Sequence, residues 1–151
     1  MLEMIFTKIL LSVLFLCRAF RADDLFVEKI SAKIELATEN CVEQHGFNSE
    51  VSNQTKHFWD EDFKPTPEVG CLYECILKRL GIIDNNGDLN PQEIDSLYRN
   101  IGTDGDTQSK LKEALAANCP HKIKDCAAAL EYAMCFRNQY LKLHPQPKVS
   151  T

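Results

Sequence analysis

Seven cysteines, Cys17, Cys41, Cys71, Cys75, Cys119, Cys126 and Cys135, are the residues of this 151-residue chain whose type and spacing most directly imply chemistry. A cysteine sulfur can close a disulfide, bind a soft metal or act as a nucleophile. Zinc needs a second Cys-x-x-Cys or a histidine pair at ligand spacing. Cys71-x-x-x-Cys75 has neither, and His45, His57, His121 and His144 are scattered along the chain. No metal and no cofactor is expected, and the sulfurs read as disulfide partners.

Three other groupings carry weaker chemical signals. Asp84, Asn86, Asp88 and Asn90 imitate the start of a calcium loop, but its sixth position is Leu89 instead of glycine and its twelfth Asp95 instead of glutamate. A polar turn between helices is the better reading. Asn53-Gln54-Thr55 is a formal glycosylation sequon. His57, beside Phe58, has the side chain type that titrates near pH 6 and would be able to couple acid to a binding event; an exposed histidine in a turn is the plainer reading. A secreted helical phospholipase would require a Cys-Cys-x-x-His stretch or a His/Asp dyad with a calcium loop. His121 stands between Pro120 and Lys122 with no acid before Asp125, so no enzyme is expected.

The N-terminus indicates where such sulfurs would be oxidised. Ile9–Leu16 is an almost unbroken apolar run, with Lys8 before it and Arg18 after it. It is too short for a bilayer, which needs about 20 apolar residues, and fits the hydrophobic region of a signal peptide. Residues 1–22 are therefore expected to be a leader, cleaved after Ala19 or Ala22, and residues 23–151 the mature domain. Removing the leader takes Cys17 with it and leaves six cysteines, an even number in an oxidising compartment. It also leaves 14 basic against 21 acidic residues, a net charge of −7. An acidic chain without a basic cluster excludes nucleic acid and anionic membrane surfaces as natural partners. Stable membrane insertion is not expected.

The remaining pattern is helical. Val27, Ile30, Ile34, Ala37 and Cys41 recur at a 3-4-3-4 spacing, and Gly46 suits a helix stop. Phe47–Phe63 reads as one or two short helices with turns. Thr66-Pro67-Glu68 starts another helix, through Cys71, Cys75 and Leu80 to Gly81. Asn90-Pro91-Gln92-Glu93 starts a fourth, covering Ile94, Leu97 and Tyr98 and stopping near Gly102. Asp106 opens a fifth with Leu111, Leu115 and Ala116 inward. The last spans about Ile123–Leu143, before Pro145 and Pro147. The fold expected is all-α, six helices or so, with no strand pattern of useful length.

Helical phase then constrains the sulfurs. Cys71 and Cys75 are about 40° apart on one helix, while Cys126 and Cys135 are about 180° apart. The last helix must therefore be bonded to two different neighbours. Six cysteines allow 15 pairings, and spacing alone does not choose among them.

The intervals themselves, 29, 3, 43, 6 and 8 residues from Cys41 to Cys135, resemble the six-cysteine pattern of insect odorant-binding proteins. His57-Phe58-Trp59-Asp60-Glu61-Asp62-Phe63 and Ala133-Met134-Cys135-Phe136 are similar to segments of the moth pheromone-binding and general odorant-binding branch. The resemblance implies the pairs Cys41–Cys75, Cys71–Cys126 and Cys119–Cys135, and a compact six-helix domain enclosing a hydrophobic cavity. By register it implies ligand contacts at Val27, Ile30, Ile34, Phe58, Trp59, Tyr73, Leu77, Leu97, Leu115, Tyr132 and Phe136. Leu77 stands where some members carry a polar pocket residue; Tyr73 and Tyr132 offer hydroxyls instead. The Cys119–Cys126 interval is shorter than in most moth members. Only 16 residues follow Cys135, so the acid-triggered tail of longer members is not implied.

What the resemblance implies for function is an extracellular carrier, a monomer or weak homodimer. It would move small, semi-volatile hydrophobic ligands, odorants or pheromones, through sensillum lymph toward an olfactory receptor complex. The same fold carrying lipids or semiochemicals in another fluid is the nearest alternative. A disulfide-rich inhibitor acting through its surface is the other, and it predicts a packed core with no cavity.

Overall fold

The computed structural model describes residues 22–100 and 105–144. The expected leader, Gly102 and the two closing prolines, Pro145 and Pro147, fall outside them, apart from Ala22. Six α-helices are described: α1 Ala22–His45, α2 Ser49–Gln54, α3 Val69–Arg79, α4 Pro91–Asn100, α5 Gly105–Asn118 and α6 Cys126–Leu143. A 3₁₀ turn, Thr55–His57, follows α2. Among the described residues there is no strand, only two isolated bridges, Ile83 with Leu89 and Asp88 with Lys122.

Local chemistry sets most boundaries. Asn48 caps α2 by accepting from Val51 N at 2.9 Å, and Asp125 caps α6 by accepting from Ala128 N at 2.8 Å. Gly46 and Gly81 take left-handed φ of 70° and 71° just past α1 and α3, the conformation glycine adopts without strain. The Thr66-Pro67 start makes one tight turn first, with Val69 N on Thr66 O and Gly70 N on Pro67 O, and regular helix begins at Val69.

The last helix begins later than its apolar pattern predicts. Ile123 is held by the 84–88 turn: its N–H donates to Gly87 O at 2.8 Å. Its side chain is buried. The segment stays extended until Asp125 supplies a cap. Asp84 Oδ1 accepts from Asn86 N at 2.8 Å and from Asp88 N at 3.0 Å, and Asp88 pairs with Lys122 at 3.0 Å. The calcium-like residues thus build a turn and tie it to the chain entering α6.

Helix α3 is the centre of the molecule, burying Val69, Gly70, Leu72, Tyr73, Ile76 and Leu77. A Cβ on Gly70 would lie 2.3 Å from Cys126 O, so the absence of a side chain lets α3 meet the start of α6 backbone to backbone. Disulfides Cys41–Cys75, Cys71–Cys126 and Cys119–Cys135 join α1 to α3, α3 to α6, and the end of α5 to α6. Each such link stabilises by about 2–4 kcal/mol.

Candidate functional site

Apolar faces from most of these elements converge on one hollow between α1, α3, α4 and α6. Helix α1 contributes Lys33 and Ile34, and α3 contributes Tyr73, Ile76, Leu77 and Leu80. Ile82 follows α3, Ile94 and Leu97 come from α4, and Tyr132, Ala133 and Phe136 from α6. Phe58, in the turn after the 3₁₀ segment, completes the lining. The cavity between these side chains is about 60 Å³ and partly open to solvent, smaller than the about 300–1,000 Å³ of sites that hold small molecules, so a ligand of that kind must displace lining side chains as it enters. Its walls are almost wholly hydrocarbon and aromatic ring, with Lys33 exposed at the rim.

Phe58 is the hub of the aromatic wall. It is 3% exposed, and its ring centroid lies 4.8 Å from Trp59, 5.9 Å from Tyr73 and 6.2 Å from Phe63. Edge-to-face and tilted contacts of this kind add to the burial itself. The turn is clamped by Arg137, a buried residue of α6. Its Nε donates to Phe58 O at 2.5 Å, and a second guanidinium N–H donates to Asp60 O. Arg137 has no ion pair among the described residues; carbonyl oxygens and Asn138 Oδ1 accept its hydrogen bonds.

Of the residues the sequence offered as ligand contacts, Ile34, Phe58, Tyr73, Leu77, Leu97, Tyr132 and Phe136 line this hollow. The side chains of Val27 and Ile30 lie outside the described residues. Trp59 lines an adjoining hollow instead, with Phe58, Ile34 and polar neighbours such as Thr38, Thr55 and Lys56. The reason is its packing: the indole stands 5.1 Å from Tyr140 and 6.4 Å from Phe136. Leu115 faces a third hollow, beside Ile94, Tyr132 and His121, because α5 packs against α6 outside the main pocket. Ile76, Leu80, Ile82, Ile94, Ala133 and Lys33 were missed. The apolar ones carry the same periodicity as core residues, so no sequence signal separates them from packing.

Burial marks both phenols of the site. It pushes the Tyr132 hydroxyl up to about 12 and raises Tyr73 further, against a downward pull from the Arg137 charge. Both are neutral at physiological pH. His57 stands apart from the pocket: its side chain is 65% exposed and its Nδ1 lies 2.6 Å from Asp60 Oδ2. Asn53 of the sequon is exposed on α2, and the Thr55 hydroxyl donates to Ser52 O at 2.7 Å. No described helix is long and apolar enough to cross a membrane.

A family model described as the PBP/GOBP family matches residues 23–139. General odorant-binding protein 2 of Bombyx mori is 23% identical over 126 residues, covering 80% of this chain and 78% of that protein. General odorant-binding protein 2 of Heliothis virescens is 26% identical over 113 residues, covering 72% and 69%. The crystal structure of Epiphyas postvittana pheromone binding protein 3 superposes with a TM-score of 0.58 at 26% identity, covering 72% of this chain and 96% of that one.

Proposed function

The chain belongs to the PBP/GOBP family, and on that premise we propose that it is a non-catalytic carrier of small hydrophobic ligands. One observation carries the reading. A hydrocarbon-lined hollow lies between four helices, three of them joined by sulfur bridges, and an aromatic turn clamped by Arg137. An apolar molecule entering it leaves water for walls of hydrocarbon and aromatic ring, and that transfer supplies the driving force for parting the side chains that line it. The relatives bear the names of odorant- and pheromone-binding proteins, which supports volatile or semi-volatile cargo.

The carrier works outside the cell in this reading. The apolar leader expected at residues 1–22 and the three disulfides support secretion. The acidic surface keeps the protein soluble at the concentration a carrier needs. Delivery toward a membrane receptor is the remaining step, and the free surface rather than the pocket would make that contact.

Uptake of N-phenyl-1-naphthylamine by the folded, oxidised protein tests the proposal. Fluorescence enhancement and displacement by long-chain alcohols, acetates and aldehydes are expected. A folded protein that takes up no probe overturns the carrier reading and favours a surface-acting role.

A further inference from the structure

Asn53-Gln54-Thr55 is the only Asn-x-Ser/Thr triplet of the chain, and a carrier's pocket makes no use of it. Asn53 lies near the end of α2. The residues three and four away from it, Ser49, Glu50, Lys56 and His57, share its side of the helix and the following turn, and all four are exposed. A substituent on the Asn53 side chain would therefore extend into water. The amide is also spare. Asn40, Asn48, Asn90, Asn118 and Asn138 each spend theirs on a hydrogen bond, whereas the Asn53 amide has no partner among the described residues. Asn53 lines the open hollow beside Trp59 and no part of the main pocket.

Thr55 supplies the hydroxyl that the motif requires. In the folded chain it is buried, and its hydroxyl donates to Ser52 O at 2.7 Å. The folded triplet is thus closed to an enzyme, and modification has to precede folding. The order of synthesis allows this. Helix α2 has six residues and buries none of them, too little to persist as an isolated helix. It packs against α3, which is made after it. Asn53 also sits inside the loop closed by Cys41–Cys75, a bridge that cannot form until Cys75 has followed it. The triplet therefore reaches an oxidising compartment as open chain.

Resting on the extracellular reading, we infer that Asn53 carries one N-linked oligosaccharide, added to the unfolded chain and projecting from the exposed side of α2 after folding. Asn53 Nδ2 bonds to the anomeric carbon of the first N-acetylglucosamine as that carbon's bond to the diphosphate of a lipid-linked oligosaccharide donor breaks. The nitrogen gives up one proton, and the lipid diphosphate is the leaving group. The sugar adds bulky, solubilising surface over the hollow beside Trp59 and leaves the walls of the main pocket untouched.

The test is expression of the full chain and of Asn53→Gln in insect cells, with intact mass measured on protein from the medium before and after peptide N-glycosidase. Secreted wild type should exceed its polypeptide mass by one oligosaccharide and lose it to the enzyme, which converts Asn53 to aspartate. Peptide mapping reads that conversion on the wild type alone, so the result stands even where the variant fails to fold. Asn53→Gln should appear at its bare polypeptide mass. Secreted wild type at bare polypeptide mass, or a glycan that persists on Asn53→Gln, overturns the site while leaving the carrier reading standing. A chain that stays in the cytosol with residues 1–22 uncleaved defeats the extracellular reading, and the glycan with it.

Discussion

Replacing Arg137 with methionine isolates the clamp that holds the aromatic wall. The guanidinium makes two bonds across to the turn, to Phe58 O and Asp60 O. Asp60 is exposed, so its carbonyl regains water in the variant at little cost. Phe58 is buried, and its carbonyl would lose its partner without gaining another, costing about 1–3 kcal/mol. Two terms act the other way. Methionine fills the same space with a flexible apolar chain, and a buried cation with no carboxylate beside it no longer needs desolvating. The net expectation is a loss of about 1 kcal/mol, which for a domain of this size lowers the melting temperature by about 3–5 °C. Thermal unfolding followed by circular dichroism measures it. Probe affinity should fall about three- to tenfold, because Phe58 lines the pocket and its backbone is no longer held. Arg137→Lys should fall between the two, since one ammonium cannot serve both carbonyls as the fork does. An Arg137→Met variant as stable as wild type, with unchanged probe affinity, would refute the reasoning and show that the desolvation of the charge outweighs its bonds.

Other perturbations follow from the same structure. Tyr132 is raised to about 12 and Tyr73 further, against about 10 for a phenol in the unfolded chain. The folded state therefore keeps protons that the unfolded state releases; this contribution is complete below pH 10 and is lost as pH rises through 10–12. A melting temperature that stays flat from pH 9 to 11.5 would contradict the burial of both phenols. Serine replacement of Cys71 and Cys126, whose link spans 55 residues, should cost about 4 kcal/mol, against about 3 for Cys119 and Cys135, which span 16. Denaturant midpoints in the reverse order would argue that strain or residual structure governs the links. His57→Ala should leave ligand affinity within about twofold at pH 7 and pH 5, because the exposed pair with Asp60 is worth at most about 1 kcal/mol. A pH response abolished by this change would restore His57 as an acid sensor.

The features legible in the sequence are those whose physics is local. The 3-4 spacing of α1, the Pro and Asn starts of α3 and α4, and the stops at Gly46 and Gly81 are written in single residues or short strings. The cysteine intervals and the Phe58-Trp59 string then carried the family. Longer-range competition was not legible. Ile123 reads as helix by its neighbours, yet the 84–88 turn, some 36 residues earlier, captures its N–H. Trp59 and Phe58 are adjacent, but Tyr140 draws the indole away from the pocket that Phe58 lines. Arg137 gives no signal of its own in the sequence and is buried on carbonyls, a role set by backbone atoms that no side-chain pattern encodes. Ile76 and Ile94 show why lining escapes such reading: a cavity wall and a core have the same polarity and period.

The sulfur links also give the pocket walls unequal stiffness. Helices α1, α3 and α6 are joined to one another through Cys41–Cys75 and Cys71–Cys126, so the sides they form cannot part without straining covalent bonds. The Phe58 side is pinned by Arg137. Helix α4, which supplies Ile94 and Leu97, carries no cysteine and meets α5 through the partly exposed Asp95–Lys112 pair at 2.9 Å. The vessel is thus rigid on three sides and compliant on the fourth. On the carrier reading, a cargo larger than the resting space would be accommodated at α4, the one helical wall without a covalent link to the frame.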